Sequence, residues 1–375
     1  MEFTIHHQVL LTVFVIATVM GAVANKTNFC TMGAISDWVN MGDRGRLGAW
    51  LFAMAVAVAG VLVLEARGTI DLDAGTFPPY RTTSFAWLRY LAGGLLFGVG
   101  MTLASGCGSK TLIRIGGGNM KSLVVLALAA GCAYLMMWTE VYDRFFNPWI
   151  AATSISLGSS GIPGQDLGSV IGGLAGFADP KSLRLATAAV ATLVLGGLAL
   201  SSADFRGSAD NLLGGLVVGL AVVAGWYLTG GAIGQAWKEW AEMADIVPSR
   251  VSVQSFTFIS PMGDTVRYLM APGKVANLNF GVMALAGVIA GSLLYSLFAG
   301  RFRLEWFASG GDFANHASGG VLMGIGGVLA MGCTIGQAVT GVSTLAVGSL
   351  LTFAAIVGGA ATTMKYQYWA LLRTE

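Results

Sequence analysis

Apolar residues run along this chain in blocks long enough to cross a bilayer, with short polar or glycine- and proline-bearing breaks between them. Nine blocks stand out, at roughly 8–24, 48–66, 86–105, 121–140, 183–200, 210–229, 277–299, 315–332 and 344–368. A span needs about 20 predominantly apolar residues, so each predicts a membrane helix. Two stretches resist that reading. Residues 141–182 carry Pro148, Pro163 and Pro180, and residues 230–275 carry Trp237, Trp240, Pro248, Pro261 and Pro272. Both are expected to hold short interfacial or re-entrant pieces. The first block follows Glu2, His6 and His7 with no Lys or Arg before it. It therefore lacks the positive leader of a signal peptide and reads as the first span.

The blocks are not independent of one another. Gly93, Gly94, Leu96, Gly98, Gly100, Leu103, Ala104, Gly106 and Cys107 each have an identical partner 226 residues later, from Gly319 to Cys333. A duplicated apolar segment ending in Gly-Cys predicts a membrane protein built from two halves, with its site where they meet. The halves are expected at 1–200 and 210–375, with 201–209 as the joint. A weaker match at offset 227 sets Phe29-Cys30 and Ser36-Asp37 beside Phe256-Thr257 and Gly263-Asp264. The second copy there has no cysteine. Asp37 and Asp264 are expected to cap re-entrant turns.

Composition agrees with a membrane setting. The chain is 55% hydrophobic and only 11% charged, where a soluble domain carries about 25% charged residues. The expected fold class is an all-α integral membrane protein, with about nine transmembrane helices, short re-entrant half-helices and two inverted pseudo-symmetric repeats. A net charge of +2 with no basic tract argues against a nucleic-acid partner. Four widely spaced cysteines and three histidines form no CxxC and no Cys/His cluster, so no metal site or cofactor is expected. Nor does any paired-carboxylate or Ser/His/Asp set point to a catalytic residue.

Orientation follows the Lys/Arg bias of the loops. Lys26, Arg44 and Arg46 follow the first block, Lys110, Arg114 and Lys121 the third, Arg206 the fifth, Arg301 and Arg303 the seventh, and Arg373 the last. Placing these in the cytoplasm puts the N-terminus outside and the C-terminus inside. Cys107 then follows an inward span and Cys333 an outward one, so the repeats are inverted.

After each repeated cysteine comes a segment too short to cross: Gly108 to Ile115, and Thr334 to Thr340. Irregular backbone at membrane depth is tolerated where it is buried in protein or lines a cavity. The N-terminus of a half-helix offers free N–H groups and the positive end of a dipole, which favours an anion. Gly94/Gly98 and Gly320/Gly324 also fit close helix packing. A thiol is a soft, weak donor and acceptor that suits a sulfur ligand better than a hard ion. Lys110, three residues after Cys107, either attracts an anion or meets lipid phosphate. The candidate substrate-binding set is Cys30, Cys107, Cys333, Lys110, Gly106 and Gly332. Cys132, in mid-span, reads as a small buried hydrophobe.

Asn28-Phe29-Cys30-Thr31-Met32-Gly33, Leu103-Ala104-Ser105-Gly106-Cys107 and Ala330-Met331-Gly332-Cys333-Thr334-Ile335-Gly336 resemble the three signature cysteine motifs of the YeeE/YedE sulfur-transport family. The resemblance extends over nearly the whole chain, and Ser255-Phe256-Thr257-Phe258 shares in it. It implies a bacterial inner-membrane permease that takes up thiosulfate or a related small sulfur anion. Three cysteines along the pathway, here Cys30, Cys107 and Cys333, would pass the ion inward through S–H···S hydrogen bonds. It also implies a small cytoplasmic sulfur-carrier protein as partner. Gly108-Ser109-Lys110 departs from the family pattern and leaves the substrate open. Three other readings stay open beside the permease: a thiol oxidoreductase or sulfurtransferase relaying a persulfide, a less selective anion channel, and a non-transporting receptor.

Overall fold

The structure, a computed structural model, describes residues 4–176 and 180–373. Nine long helices dominate the described residues: α1 (Ile5–Lys26), α3 (Gly45–Ala66), α4 (Trp87–Leu103), α6 (Met120–Trp138), α10 (Pro180–Ser201), α12 (Ala209–Gly230), α15 (Phe280–Phe298), α16 (Gly310–Leu329) and α17 (Val347–Leu372). Between them lie the shorter α2 (Thr31–Ser36), α5 (Gly108–Gly116), α7 (Val141–Phe145), α8 (Asn147–Thr153), α9 (Leu167–Ala175), α11 (Ala203–Arg206), α13 (Ala232–Met243) and α14 (Ile259–Met270). Two π-helical turns follow α2 and Thr334, at Asp37–Met41 and Ile335–Gly341. Sheet is confined to two pairs of two-residue strands, one of which joins Thr76–Phe77 to Val253–Gln254. The protein is an all-α integral membrane protein. Among the described residues, eight helices are long and apolar enough to cross a bilayer. The ninth, α16, is diluted by Asp312, Asn315 and His316 in its first turns.

Helix directions follow from the close contacts. A Cβ built on Gly93 of α4 would lie 2.4 Å from the Ala330 backbone nitrogen, and one on Gly319 of α16 would lie 2.6 Å from that of Ala104. These are the same contact with the halves exchanged, since 93 and 104 shift by 226 to 319 and 330. The two helices therefore run antiparallel and meet as a self-complementary pair. Only glycine lets the backbones come this near. The exchange extends outward: α1 packs on α15 as α12 packs on α3, and α6 packs on α16 as α17 packs on α4.

Both helices of the central pair end in the same turn. Ser105 and Met331, again 226 apart, take left-handed backbone angles of φ 56° and φ 58°. Gly106 N–H bonds Met101 C=O at 2.8 Å, and Gly332 N–H bonds Gly327 C=O at 2.9 Å. This closing bond frees the next residue, Cys107 or Cys333, to start a new and shorter helix in another direction.

The expectation that Asp37 and Asp264 cap turns is corrected. Neither carboxylate caps a helix; each is held by an arginine. Arg46 Nε and Nη2 donate to Asp37 at 2.5 and 2.6 Å, and Arg250 Nε and Nη2 donate to Asp264 at 2.5 and 3.1 Å. The reason is burial: a carboxylate at these depths needs a counter-charge more than a backbone N–H.

Candidate functional site

The structure brings Cys30, Cys107 and Cys333 together at the starts of three short helical segments. Cys30 is the N-cap of α2, Cys107 that of α5, and Cys333 precedes the 335–341 turn. All three are buried and free, without a disulfide. Cys30 Sγ accepts the Gly33 N–H at 3.4 Å. Cys107 holds the N-cap position without a side-chain capping bond. Cysteine thus stands where a serine or aspartate usually caps, and each soft sulfur sits at the positive end of a short helix.

The thiols also meet one another. Those of Cys30 and Cys107 lie close enough to interact. A Cβ on Gly108 would lie 3.7 Å from Cys333 Cβ, so the second and third cysteines are neighbours across the halves. Hydroxyls fill the gaps. Ser109 Oγ is 3.3 Å from Cys107 Sγ, and Thr31 Oγ1 donates to the same sulfur over a long 3.9 Å. Cys132 stays apart, half-buried on α6 beside Gly324 of α16.

The Lys110 side chain is buried, and its Nζ donates to Asn28 Oδ1, two residues from Cys30. Asn28 holds a left-handed φ of 52°, which turns its amide toward the lysine. Among the described residues no carboxylate pairs with Lys110. A buried ammonium without a counter-anion is costly, which marks the place as one where an anion would be stabilised. Gly106 lies buried against the stem of Lys110, with 3.3 Å from a built Cβ to Cγ. Gly332 is the same distance from Thr257 Oγ1.

Two cavities approach the cluster from opposite ends of α4, α6 and α16. One of about 420 Å³ opens past Ser105 beyond the end of α4, Lys121 at the start of α6, and Asp312 and His316 at the start of α16. It is basic: Lys110, Arg114, Lys121, Arg301 and Arg303 line it against Glu305 and Asp312. The other, of about 360 Å³, opens past Arg89 at the start of α4, Met136 and Met137 at the end of α6, and Val328 at the end of α16. It also holds Met331, two residues before Cys333, and Arg250. A third cavity, of about 540 Å³, lies elsewhere. Arg81, Arg184, Glu65, Asp73 and Asp166 line it and neutralise one another in ion pairs.

Sequence reasoning missed Asn28, Thr31, Ser109, Thr257, Thr334 and Gln337 as parts of the cluster. Asn28, Thr31 and Thr334 stood inside quoted motifs, Ser109 stood in the Gly108-Ser109-Lys110 departure, and the offset-227 match pointed weakly at Thr257. Gln337 carried no signal, since an amide in an apolar block has many ordinary uses.

Comparison with known proteins bears on this geometry. Residues 26–362 match the family model described as Sulphur transport. The thiosulfate transporter TsuA of Escherichia coli (strain K12) is 24% identical over 337 residues, covering 88% of this chain and 86% of that protein. The thiosulfate transporter TsuA of Spirochaeta thermophila (strain ATCC 700085 / DSM 6578 / Z-1203) is 24% identical over 356 residues, covering 91% and 93%.

Proposed function

The chain belongs to the sulphur-transport family, and from that premise we propose that it is a permease for thiosulfate or a related small sulfur-containing anion. The observation that carries the reading is the meeting of three free cysteines, far apart in sequence, at the N-termini of short helices inside a membrane protein. The relatives named as thiosulfate transporters supply the substrate class.

A divalent anion leaving water loses a large hydration energy, which only charge, dipoles and hydrogen bonds can offset. Here Lys110 contributes a full charge, and the half-helix N-termini contribute partial ones. The thiols of Cys30, Cys107 and Cys333 meet the terminal sulfur through S–H···S contacts, while Gly106 and Gly332 keep the turns narrow enough for the ion to pass close to backbone. A sulfate ion has no soft end and gains nothing from three thiols. Selectivity therefore comes from matching softness as well as charge.

The two halves, 1–200 and 210–375 joined through 201–209, act as inverted units around this site. We place the basic cavity in the cytoplasm of a bacterial inner membrane, because Lys26, Arg44, Arg206, Arg301 and Arg303 gather on that face. The N-terminus is then periplasmic and the C-terminus cytoplasmic. A small sulfur-carrier protein would collect the ion at this inner mouth.

One observation favours a second reading: the contact of the Cys30 and Cys107 thiols also suits a thiol oxidoreductase. That reading predicts a covalent adduct on one of these cysteines after exposure to substrate, visible by intact-protein mass spectrometry. The permease reading predicts none. The direct test is uptake of labelled thiosulfate into vesicles holding the purified protein, with sulfate outside at equal and at excess concentration. Uptake that resists sulfate supports the permease; uptake that sulfate abolishes at equal concentration means a general anion channel.

A further inference from the structure

Four short segments begin at the centre of this protein, and three of them begin with a thiol. The fourth belongs to α14. Its counterpart to Cys30, at offset 227, is Thr257. Thr257 is buried, yet its hydroxyl has no hydrogen-bond partner among the described residues. Threonine is a favoured capping residue, but this one leaves its own helix alone, and Phe258 occupies the N-cap position. Native proteins rarely leave a buried hydroxyl unpaired, so such a group calls for a partner that comes and goes.

The surroundings say where that partner sits. Thr257 Oγ1 would lie 2.3 Å from a Cβ on Gly336 and 3.3 Å from one on Gly332, so the hydroxyl rests directly on the turn that holds Cys333. The Cys333 sulfur lies near the backbone of Phe258, the next residue along from Thr257. Gln337, fully buried, has its Cγ 3.4 Å from the same built Gly332 Cβ, and its Oε1 is likewise unpartnered. With Oγ1 of Thr334, the residue next to Cys333, three buried polar atoms around this turn stand unpartnered among the described residues, while Cys30 Sγ accepts from the Gly33 N–H and Cys107 Sγ pairs with Ser109 Oγ.

We infer that Thr257 forms, with the Cys333 turn, an oxygen-facing subsite for an anion that carries one soft sulfur and several hard oxygens. The thiol of Cys333 meets the sulfur end, and the Thr257 O–H donates to an oxygen at the other end. Gln337 Oε1, an acceptor, meets the anion through a water that donates to both. This division of labour explains why the fourth position of a pseudo-symmetric set is a hydroxyl. Four thiols would grip a sulfur atom but leave the oxygens unserved. The inference rests on the permease reading above.

The test is labelled-thiosulfate uptake by purified protein in vesicles, for wild type, Thr257→Val, Thr257→Ser, Thr257→Cys and Cys107→Ala, with thermal unfolding of each. Valine keeps the shape and removes the hydroxyl. A hydrogen bond to a charged acceptor is strong enough that its loss should raise the half-saturating thiosulfate concentration about ten-fold or more. Thr257→Ser should restore it to within about three-fold, Thr257→Cys should not, and the unfolding temperature of Thr257→Val should stay at or above that of wild type. Unchanged half-saturation in Thr257→Val, with Cys107→Ala impaired, overturns this inference alone. A wild type that carries no thiosulfate overturns the permease reading and the inference with it.

Discussion

Removing the carboxylate of Asp264 should cost this protein far more than removing its repeat partner Asp37, although both are clamped by an arginine. Asp264 accepts from Arg250 Nε at 2.5 Å, Arg250 Nη2 at 3.1 Å, Asn279 Nδ2 at 3.2 Å and Trp138 Nε1 at 3.2 Å. Its side chain is 3% exposed and that of Arg250 is 18% exposed. Arg250 cannot swing out to water easily, because its guanidinium lies 4.1 Å from the Phe77 ring centroid and 5.3 Å from that of Trp138. Asp264→Ala thus strands a largely buried cation and two N–H donors, a loss of about 3–5 kcal/mol. Asp37 has one partner, and Arg46 at 27% side-chain exposure can regain water. Asp37→Ala should cost about 1–3 kcal/mol, the range for leaving one partly buried partner unsatisfied. The assay is equilibrium unfolding in mixed micelles, followed by tryptophan fluorescence. Equal losses for the two variants would refute the argument that partner number and depth set the cost.

Three further outcomes are expected. Lys110→Met should lower thiosulfate uptake at least ten-fold while leaving the empty protein as stable as wild type or more so, since it removes a buried charge with no carboxylate beside it; thermal unfolding and vesicle flux on the same sample check this, and normal flux contradicts it. Gly319→Val should separate α16 from α4, because its Cβ has only backbone atoms to meet at 2.6 Å; overpacking of this kind costs about 1–3 kcal/mol or more, and an unshifted unfolding temperature contradicts the tight crossing. Partial burial pushes the Asp73 carboxyl up, but Arg184 and Arg81 pull it further down, so it lies below its ordinary value. A lowered native value means the stabilisation is complete above the ordinary carboxylate value of about 3.9 and is lost as pH falls through the native value. Unfolding followed from pH 6 to pH 2 should show an acid limb that Asp73→Asn flattens, and identical limbs contradict the ion-pair account.

Much of the fold was legible because a bilayer demands long apolar blocks, and each of the nine appears as a helix. Even α16, the most polar, was betrayed by its repeat of α4. The duplicated Gly-Cys ends were legible for the same reason: a shared backbone turn, seen at Ser105 and Met331, needs the same small residues around it. The ion pairs were not legible. Arg46 comes nine residues after Asp37, whereas Arg250 comes fourteen before Asp264, so no common spacing links the two clamps. Lys110 was ambiguous in sequence because a lysine near a span end so often meets lipid. Only the fold shows that Asn28, 82 residues away, bonds it. Thr257 was hidden by its ordinariness, since a threonine among phenylalanines has no chemistry to announce until its hydroxyl is found alone.

The measurement that tests the central claim most directly is labelled-thiosulfate uptake by purified protein in vesicles, compared across wild type, Cys30→Ala, Cys107→Ala, Cys333→Ala and Cys132→Ala. A thiol-lined pathway predicts wild-type flux that is lost in the first three variants and kept in Cys132→Ala, whose sulfur lies apart on α6. Full flux in any of the first three variants, or equal loss in all four, would contradict it.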